Sequence, residues 1–424
     1  MSDLSVPLTV RDLEYRPHLK VLDAAVGALQ TVGLLPGPRQ ITKAHVKAAA
    51  MKRTGLSDFG DPSFEAPYAK LLEVLPNHPL SSLGTLLTEQ TMVKALSNRP
   101  RIQAHLTAHP ALASARVDRP IFVLGFPRTG TTLLQNLLGL DEGQRSLRFW
   151  EIQTPIPLDT DPTRDHAERF RIAKRTLQLA YLVAPEQKQI HEIKPETPEE
   201  CWPLFSNSFA VLNYDLMSMF VDYGEWLLNY DMTGPYRFYR DTLKVLAQGR
   251  PAGERYLLKC PEHLWFIDAL LTVFPDARIV WTHRDPVASV ASYCSLISLG
   301  QRMLYGRIDP ARLGAHIQDR FRIGVERAMA ARVRAGREDQ FFDVDFLDLV
   351  RDPATVVRAV KEWAEVPHDK AGEARVQRYL ATERGDKKGA HKYSAEVYGL
   401  DARAIHREYA DYIERFQIPL KPVG

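Results

Sequence analysis

Three polar clusters in this chain have residue types and spacings suited to chemistry, and each directly follows a short apolar run. The first is Gly-Phe-Pro-Arg-Thr-Gly-Thr-Thr, residues 125–132. It has the Gly-x4-Gly spacing of a phosphate-binding loop, but Thr131 stands where a triphosphate-binding loop carries its lysine. Gly125 and Gly130 keep the backbone permissive, so the amides from Arg128 through Thr129 to Thr132 can point at one anionic group at a helix N-terminus. The helix dipole contributes only about 0.3–1 kcal/mol, so the set of hydrogen bonds must matter more. Arg128 offers a bidentate cationic contact, and Thr131 and Thr132 add hydroxyl donors. Such a loop suits a phosphate bearing one transferable group better than a magnesium triphosphate. Without its flanking strand and helix, the same spacing would also fit a plain connecting turn.

The second cluster is Thr-His-Arg-Asp-Pro-Val-Ala-Ser-Val-Ala-Ser, residues 282–292. Arg284 falls at the end of an apolar run, and Ser289 and Ser292 fall in the first turns of the helix that follows. A second anion can be held there by guanidinium, hydroxyl and helix terminus together. The alternative is that Arg284 pairs with Asp285 and the serines are packing residues. The third cluster, Lys-Cys-Pro-Glu-His at 259–263, offers an amine, a carboxyl and an imidazole.

The elements that position these clusters read as strand, helix, strand, helix. Residues 119–126, 255–259, 277–284 and 340–346 form short continuous apolar runs typical of strands buried on both faces. Helical spacing follows each of them, with Pro286 suited to a first turn. The pattern predicts an α/β fold with a parallel sheet and right-handed crossovers. Ligands bind such sheets outside the carboxyl ends of the strands, so the three clusters are expected to converge on one crevice. Residues 1–115 read as a helical N-terminal extension that packs on the core or covers a site. Residues 116–424 form the α/β domain, with a mostly helical, aromatic-rich insertion at about 160–250.

Composition narrows the function classes. The 424 residues carry a net charge of +3, too mild for nucleic acid as a bulk partner. The three cysteines, Cys201, Cys260 and Cys294, are far apart and form no Cys-x-x-Cys pair. Neither a disulfide framework nor a zinc site is expected, and a reducing compartment is the default. No stretch reaches the ~18 apolar residues of a membrane span, so a soluble, cytoplasmic protein without an integral membrane segment is expected. Oligomeric state is not readable.

With two anion cradles in view, Phe-Val-Leu-Gly-Phe-Pro-Arg-Thr-Gly-Thr-Thr-Leu-Leu (122–134) resembles the 5′-phosphosulfate loop of the PAPS-dependent sulfotransferases. Residues 282–295 resemble that family's 3′-phosphate motif, with arginine and serine eight residues apart. The resemblance covers most of 119–415 and is nearest to the bacterial group with a Gly-x-Pro-Arg-x-Gly-Thr-Thr loop. It implies a P-loop-type sheet and transfer of a sulfuryl group from PAPS (3′-phosphoadenosine 5′-phosphosulfate) to a hydroxyl of a small-molecule or lipid acceptor. The product would be adenosine 3′,5′-bisphosphate, and such a transfer requires no metal. Family members often carry lysine where this chain has Arg128.

The resemblance also implies roles. The acceptor hydroxyl must lose a proton as it attacks sulfur, and His263 is the first choice for the base, with Glu262 as its neighbour. Lys259 would neutralise charge on the departing oxygen. Residues 191–205 set Glu192, Glu196, Glu199 and Glu200 in a proline-broken stretch that faces the acceptor in related enzymes. Glu199 is therefore a second candidate base or orienting group; alternatively, Glu199 and Glu200 open a helix. Residues 383–401 resemble the loop that closes over the 3′-phosphate, with Arg384, Lys387, Lys388, His391 and Lys392 as candidates. Aromatics from Trp150 to Trp226 would line an apolar acceptor pocket or fill core. A P-loop kinase and a non-catalytic nucleotide-binding protein are the competing readings. Asp-Val-Asp at 343–345 keeps the kinase open.

Overall fold

The computed structural model describes residues 14–141, 143–183, 192–248, 254–382 and 395–420. Five parallel strands form the sheet: β1 (Ile121–Gly125), β2 (Gln144–Arg145), β3 (Arg255–Lys259), β4 (Arg278–His283) and β5 (Phe341–Asp345). Their order is β2-β3-β1-β4-β5. The four longer strands are those the apolar runs predict; β2 has two residues and is too short to carry a pattern.

β1 is central and buried throughout, and its side chains alternate between two cores. Ile121 and Val123 pack with Leu134, Leu257, Val280 and Val357 on one face. Phe122 and Leu124 pack with Leu258, Ile279, Trp281 and the helical layers on the other. This two-sided burial is why the strands read as unbroken apolar runs.

Among the described residues the insertion includes the helices Pro162–Val183, Trp202–Ser206, Asn213–Leu216, Val221–Leu227 and Thr233–Ala247. Glu199 and Glu200 do not open a helix. Their segment is extended and tied to the chain entering the helix Phe149–Gln153, through Phe149 N–H to the Thr197 carbonyl (3.1 Å) and Glu199 N–H to the Leu147 carbonyl (2.9 Å). Among the described residues, no helix is long and apolar enough to cross a membrane.

The N-terminal helices share the core of the sheet domain. Phe64, Tyr68, Met92 and Leu96 belong to the same cluster as Phe122 and Leu124. The long helix Ser82–Ala108 is fixed at its start: Ser81 N–H donates to the Leu304 carbonyl at 2.9 Å, and Gly84 lies directly against that carbonyl. A Cβ on Gly84 would enter the contact distance of the Leu304 oxygen. Glycine-to-alanine in a helix ordinarily stabilises by about 1 kcal/mol. Here backbone meets backbone, so Gly84→Ala is expected to destabilise by about 1–3 kcal/mol in chemical denaturation, opposite in sign to the usual effect.

Candidate active site

The site begins where β1 and β4 end side by side, with Gly125 opposite Thr282. Gly125 has φ +136°, and a Cβ there would lie 2.5 Å from both the carbonyl oxygen and Oγ1 of Thr282. Only glycine permits this approach. Thr129 closes the turn, its Oγ1 lying 2.6 Å from the Phe126 carbonyl and 2.5 Å from Thr282 Oγ1. Arg128 (φ +72°) and Gly130 (φ +87°) take left-handed conformations that curl the loop onto the helix Thr131–Leu138. That helix has no side-chain cap, so the amides of its first turn, which lack intrahelical acceptors, face the loop's concavity.

The second cradle interlocks with the first. Arg284 Nη1 donates to the Arg128 carbonyl at 2.6 Å, and the guanidinium lies over the Phe346 ring, 4.1 Å from its centroid. Arg128 Nε donates to Ser292 Oγ at 3.1 Å. Arg284 does not pair with Asp285, whose carboxylate caps the helix Pro286–Tyr305 at Val287 N–H (2.9 Å) and meets His406 at 3.1 Å. Among the described residues no carboxylate pairs with Arg284. Its cation is held by neutral groups at the rim of a cavity.

This cavity has a volume of about 820 Å³, and its wall includes Arg128, Gly130, Thr131, Thr132, Arg284 and Glu199 from the expected set. Gly125 shapes the turn from beneath. Thr129, expected among the loop amides, is fully buried, with its hydroxyl oxygen engaged inside the loop. Ser292 is buried, and its hydroxyl oxygen accepts from Arg128 Nε. Lys388 and His391 lie outside the described residues, with Arg384, Lys387 and Lys392.

Lys259 and His263 do not reach the cavity, contrary to expectation. The 3₁₀ segment Pro261–Phe266 after β3 is buried throughout; Pro261 and Glu262 border the cavity, while His263 faces the core. His263 is 1% exposed, with Nδ1 2.8 Å from the Tyr236 hydroxyl and Nε2 3.3 Å from Cys201 Sγ. Its ring is edge-on to Phe122 and Phe205. Both nitrogens are occupied and the ring is walled off by aromatics, so a substrate proton cannot reach it without repacking the core. Lys259 Nζ, also buried, forms a 2.9 Å ion pair with Glu200. Burial would depress this ammonium, but Glu200 and Glu199 outweigh it and hold it above its usual range.

In their place the wall presents carboxyl groups: Glu199, Glu200 and Glu262. Of the expected aromatics, Trp202 lines the cavity, whereas Phe209, Phe220 and Tyr223 are core. Sequence reasoning missed the helix Ser82–Ala108, which lays Leu87, Gln90, Thr91, Lys94, Ala95 and Asn98 along the cavity. Their spacing at positions i, i+3, i+4, i+7, i+8 and i+11 is one helical face, and its mixture of small, polar and cationic residues was the available signal.

Glu262 is buried, with Oε1 accepting the Leu212 amide and Oε2 having no hydrogen-bond partner among the described residues. Burial raises its pKa from 4.5 to about 8, so the carboxyl is neutral at pH 7. A carboxyl raised in the fold binds its proton more tightly there than in the unfolded chain, so stability falls as pH rises from about 4.5 to about 8. Glu262→Gln is expected to flatten that part of the stability–pH profile in urea titrations; an unchanged slope would contradict the burial account.

A family model described as "Sulfotransferase family" matches residues 120–370. Among solved structures, sulfotransferase STF1 from Mycobacterium tuberculosis H37Rv superposes with a TM-score of 0.78 at 29% identity, covering 87% of this chain and 98% of that one. Sulfotransferase STF9 from Mycobacterium avium gives 0.77 at 31% identity, covering 90% and 98%. By sequence, the omega-hydroxy-beta-dihydromenaquinone-9 sulfotransferase Stf3 of Mycobacterium bovis is 24% identical over 310 residues, 70% of this chain and 75% of that protein. An uncharacterized Aquifex aeolicus protein is 24% identical over 307 residues; this match spans 72% of the chain but only 32% of that longer protein. The family model spans more than half of the residues, and the chain belongs to the sulfotransferase family.

Proposed function

We propose that this enzyme transfers the sulfuryl group of PAPS to a hydroxyl of an apolar acceptor, in line and with a carboxylate as base. The observation that carries this reading is the 2.6 Å bond from Arg284 to the Arg128 carbonyl, which joins two anion cradles into one two-pronged site. The residues fit the donor. The uncapped first turn at Thr131–Leu133, with Arg128, suits the 5′-phosphosulfate, and Arg284 with Ser292 suits the 3′-phosphate. When bound, PAPS supplies a sulfuryl group attached to a phosphate leaving group.

The chain's own residues then do the rest. As the acceptor oxygen bonds to sulfur, the sulfur–oxygen bond to phosphate breaks, and the loop amides and Arg128 stabilise the charge gained by the phosphate. We assign the acceptor's proton to Glu200. Lys259 fixes one of its oxygens from behind at 2.9 Å, while the side chain borders the cavity. Lys259 therefore positions the base and does not touch the leaving group. Glu199, on the same wall, helps orient the acceptor hydroxyl.

A kinase reading is not favoured. Asp343 is engaged by His283 (2.9 Å) and Arg332 (2.8 Å), and Asp345 caps the next helix at Leu347 N–H (2.7 Å), so neither is placed as a nucleotide–metal carboxylate. Stf3 is named for an omega-hydroxy lipid quinone, and the apolar cavity wall formed by Leu87, Ile152, Leu216, Leu296 and Ile297 supports an acceptor of comparable lipid character.

Calorimetry with adenosine 3′,5′-bisphosphate tests the donor site. Arg284→Ala is expected to weaken binding about 10- to 100-fold, the size of a lost charge-assisted contact, and unchanged affinity would remove the second cradle. In turnover with labelled donor, Glu200→Gln is expected to lower kcat by about 10²- to 10⁴-fold with bisphosphate affinity kept. Full turnover in Glu200→Gln, together with loss in His263→Gln, would return the base to the imidazole.

A further inference from the structure

One group in the acceptor cavity has no role in sulfuryl transfer. Lys94, partly buried on the helix Ser82–Ala108, lines the same space as the glutamates. Its ammonium donates to the side-chain oxygen of Gln153, a neutral amide that also lines the cavity. Among the described residues no carboxylate pairs with it, and the charge that bears on it, Arg53, is another cation. Burial accordingly pulls its pKa down to about 8, which leaves it protonated at neutral pH.

A second donor points the same way. One helical turn on, Asn98 Nδ2 donates to Asn207 Oδ1 at 3.0 Å. Asn207 is 2% exposed and lines the cavity, yet its Nδ2 has no hydrogen-bond partner among the described residues. A partly desolvated cation and an orphaned amide donor are both costly unless something accepts from them. Glu199 and Glu200 do not serve, because their charge is directed to Lys259. A single ammonium flanked by neutral amides matches a monoanion. A dianionic phosphate is more often met by an arginine cluster.

We propose that Lys94, with Asn207, forms a carboxylate subsite, so that the acceptor is an apolar hydroxy acid and not a neutral alcohol. This deepens the sulfotransferase reading and rests on it for the hydroxyl, but the subsite itself is a binding property and can be measured without turnover. Lys94 acts as a specificity residue. It pairs with the acceptor's carboxylate and thereby helps bring the hydroxyl toward Glu200.

The test is calorimetric binding of dodecanoate and of its methyl ester to the full chain saturated with adenosine 3′,5′-bisphosphate. Wild type is expected to bind the acid at least about tenfold tighter than the ester, the magnitude of a charge-assisted contact. Lys94→Met should bind the two alike, and Lys94→Arg should restore part of the preference, which a merely structural lysine would not do. Bisphosphate affinity of each variant serves as the folding control. Equal binding of acid and ester by wild type, or an acid preference that survives in Lys94→Met, overturns the subsite. Loss of bisphosphate affinity in Lys94→Met with its acid preference intact also overturns it and moves the lysine to the donor site. Failure of the transfer reading looks different: an acid preference that depends on Lys94, but no sulfation of 12-hydroxydodecanoate from labelled PAPS by wild type.

Discussion

The structure depends on one pairing, the parallel register of β1 with β4 that sets Gly125 opposite Thr282. Because the two strands end level, the turn that leaves β1 and the turn that leaves β4 cannot avoid each other. Glycine at 125 removes the side chain that would separate them, and Thr129 ties the two ends through Thr282. Two residues beyond Thr282, Arg284 reaches the backbone of the neighbouring loop and holds it by its carbonyl. Each cradle is thus part of the other's support, which is the geometry a ligand with two separated anionic groups requires.

Charge around this junction is divided between matched and unmatched groups. Lys259, at the end of β3, is matched by Glu200, so neither charge is buried alone. Among the described residues Arg284 is held by a carbonyl and an aromatic face and by no carboxylate, so its charge is available to an anion from solution. The same distinction separates Lys94 from the other buried cations of the N-terminal helices. Arg99, one turn and a half further along, is satisfied by the carbonyls of Phe59, Asp61 and Asn207, whereas Lys94 meets one amide oxygen at the cavity wall.

Much of this was legible in the residues. The continuous apolar runs gave the four long strands because the sheet is covered on both faces, and the polar clusters after them marked the crevice for the same topological reason. Loop spacing alone brought Arg128, Thr131, Thr132 and Arg284 together, and all four line the cavity. His263 does not. Its position after a strand is the same whether the next turn faces outward or inward, and only the 3₁₀ segment Pro261–Phe266, packed among Phe122, Phe205 and Tyr236, decides that it faces inward. The wall contributed by the helix Ser82–Ala108 was hidden because its contact with the cavity is set by tertiary packing at Gly84 and Leu304, more than 200 residues apart.

The most direct test of the two-cradle site is a crystal structure of the chain with adenosine 3′,5′-bisphosphate. The result expected is one nucleotide spanning the junction, its 5′-phosphate on the amides of residues 128–132 and its 3′-phosphate on Arg284 and Ser292. A bisphosphate seated with either phosphate away from these groups, or bound elsewhere on the molecule, would contradict the account.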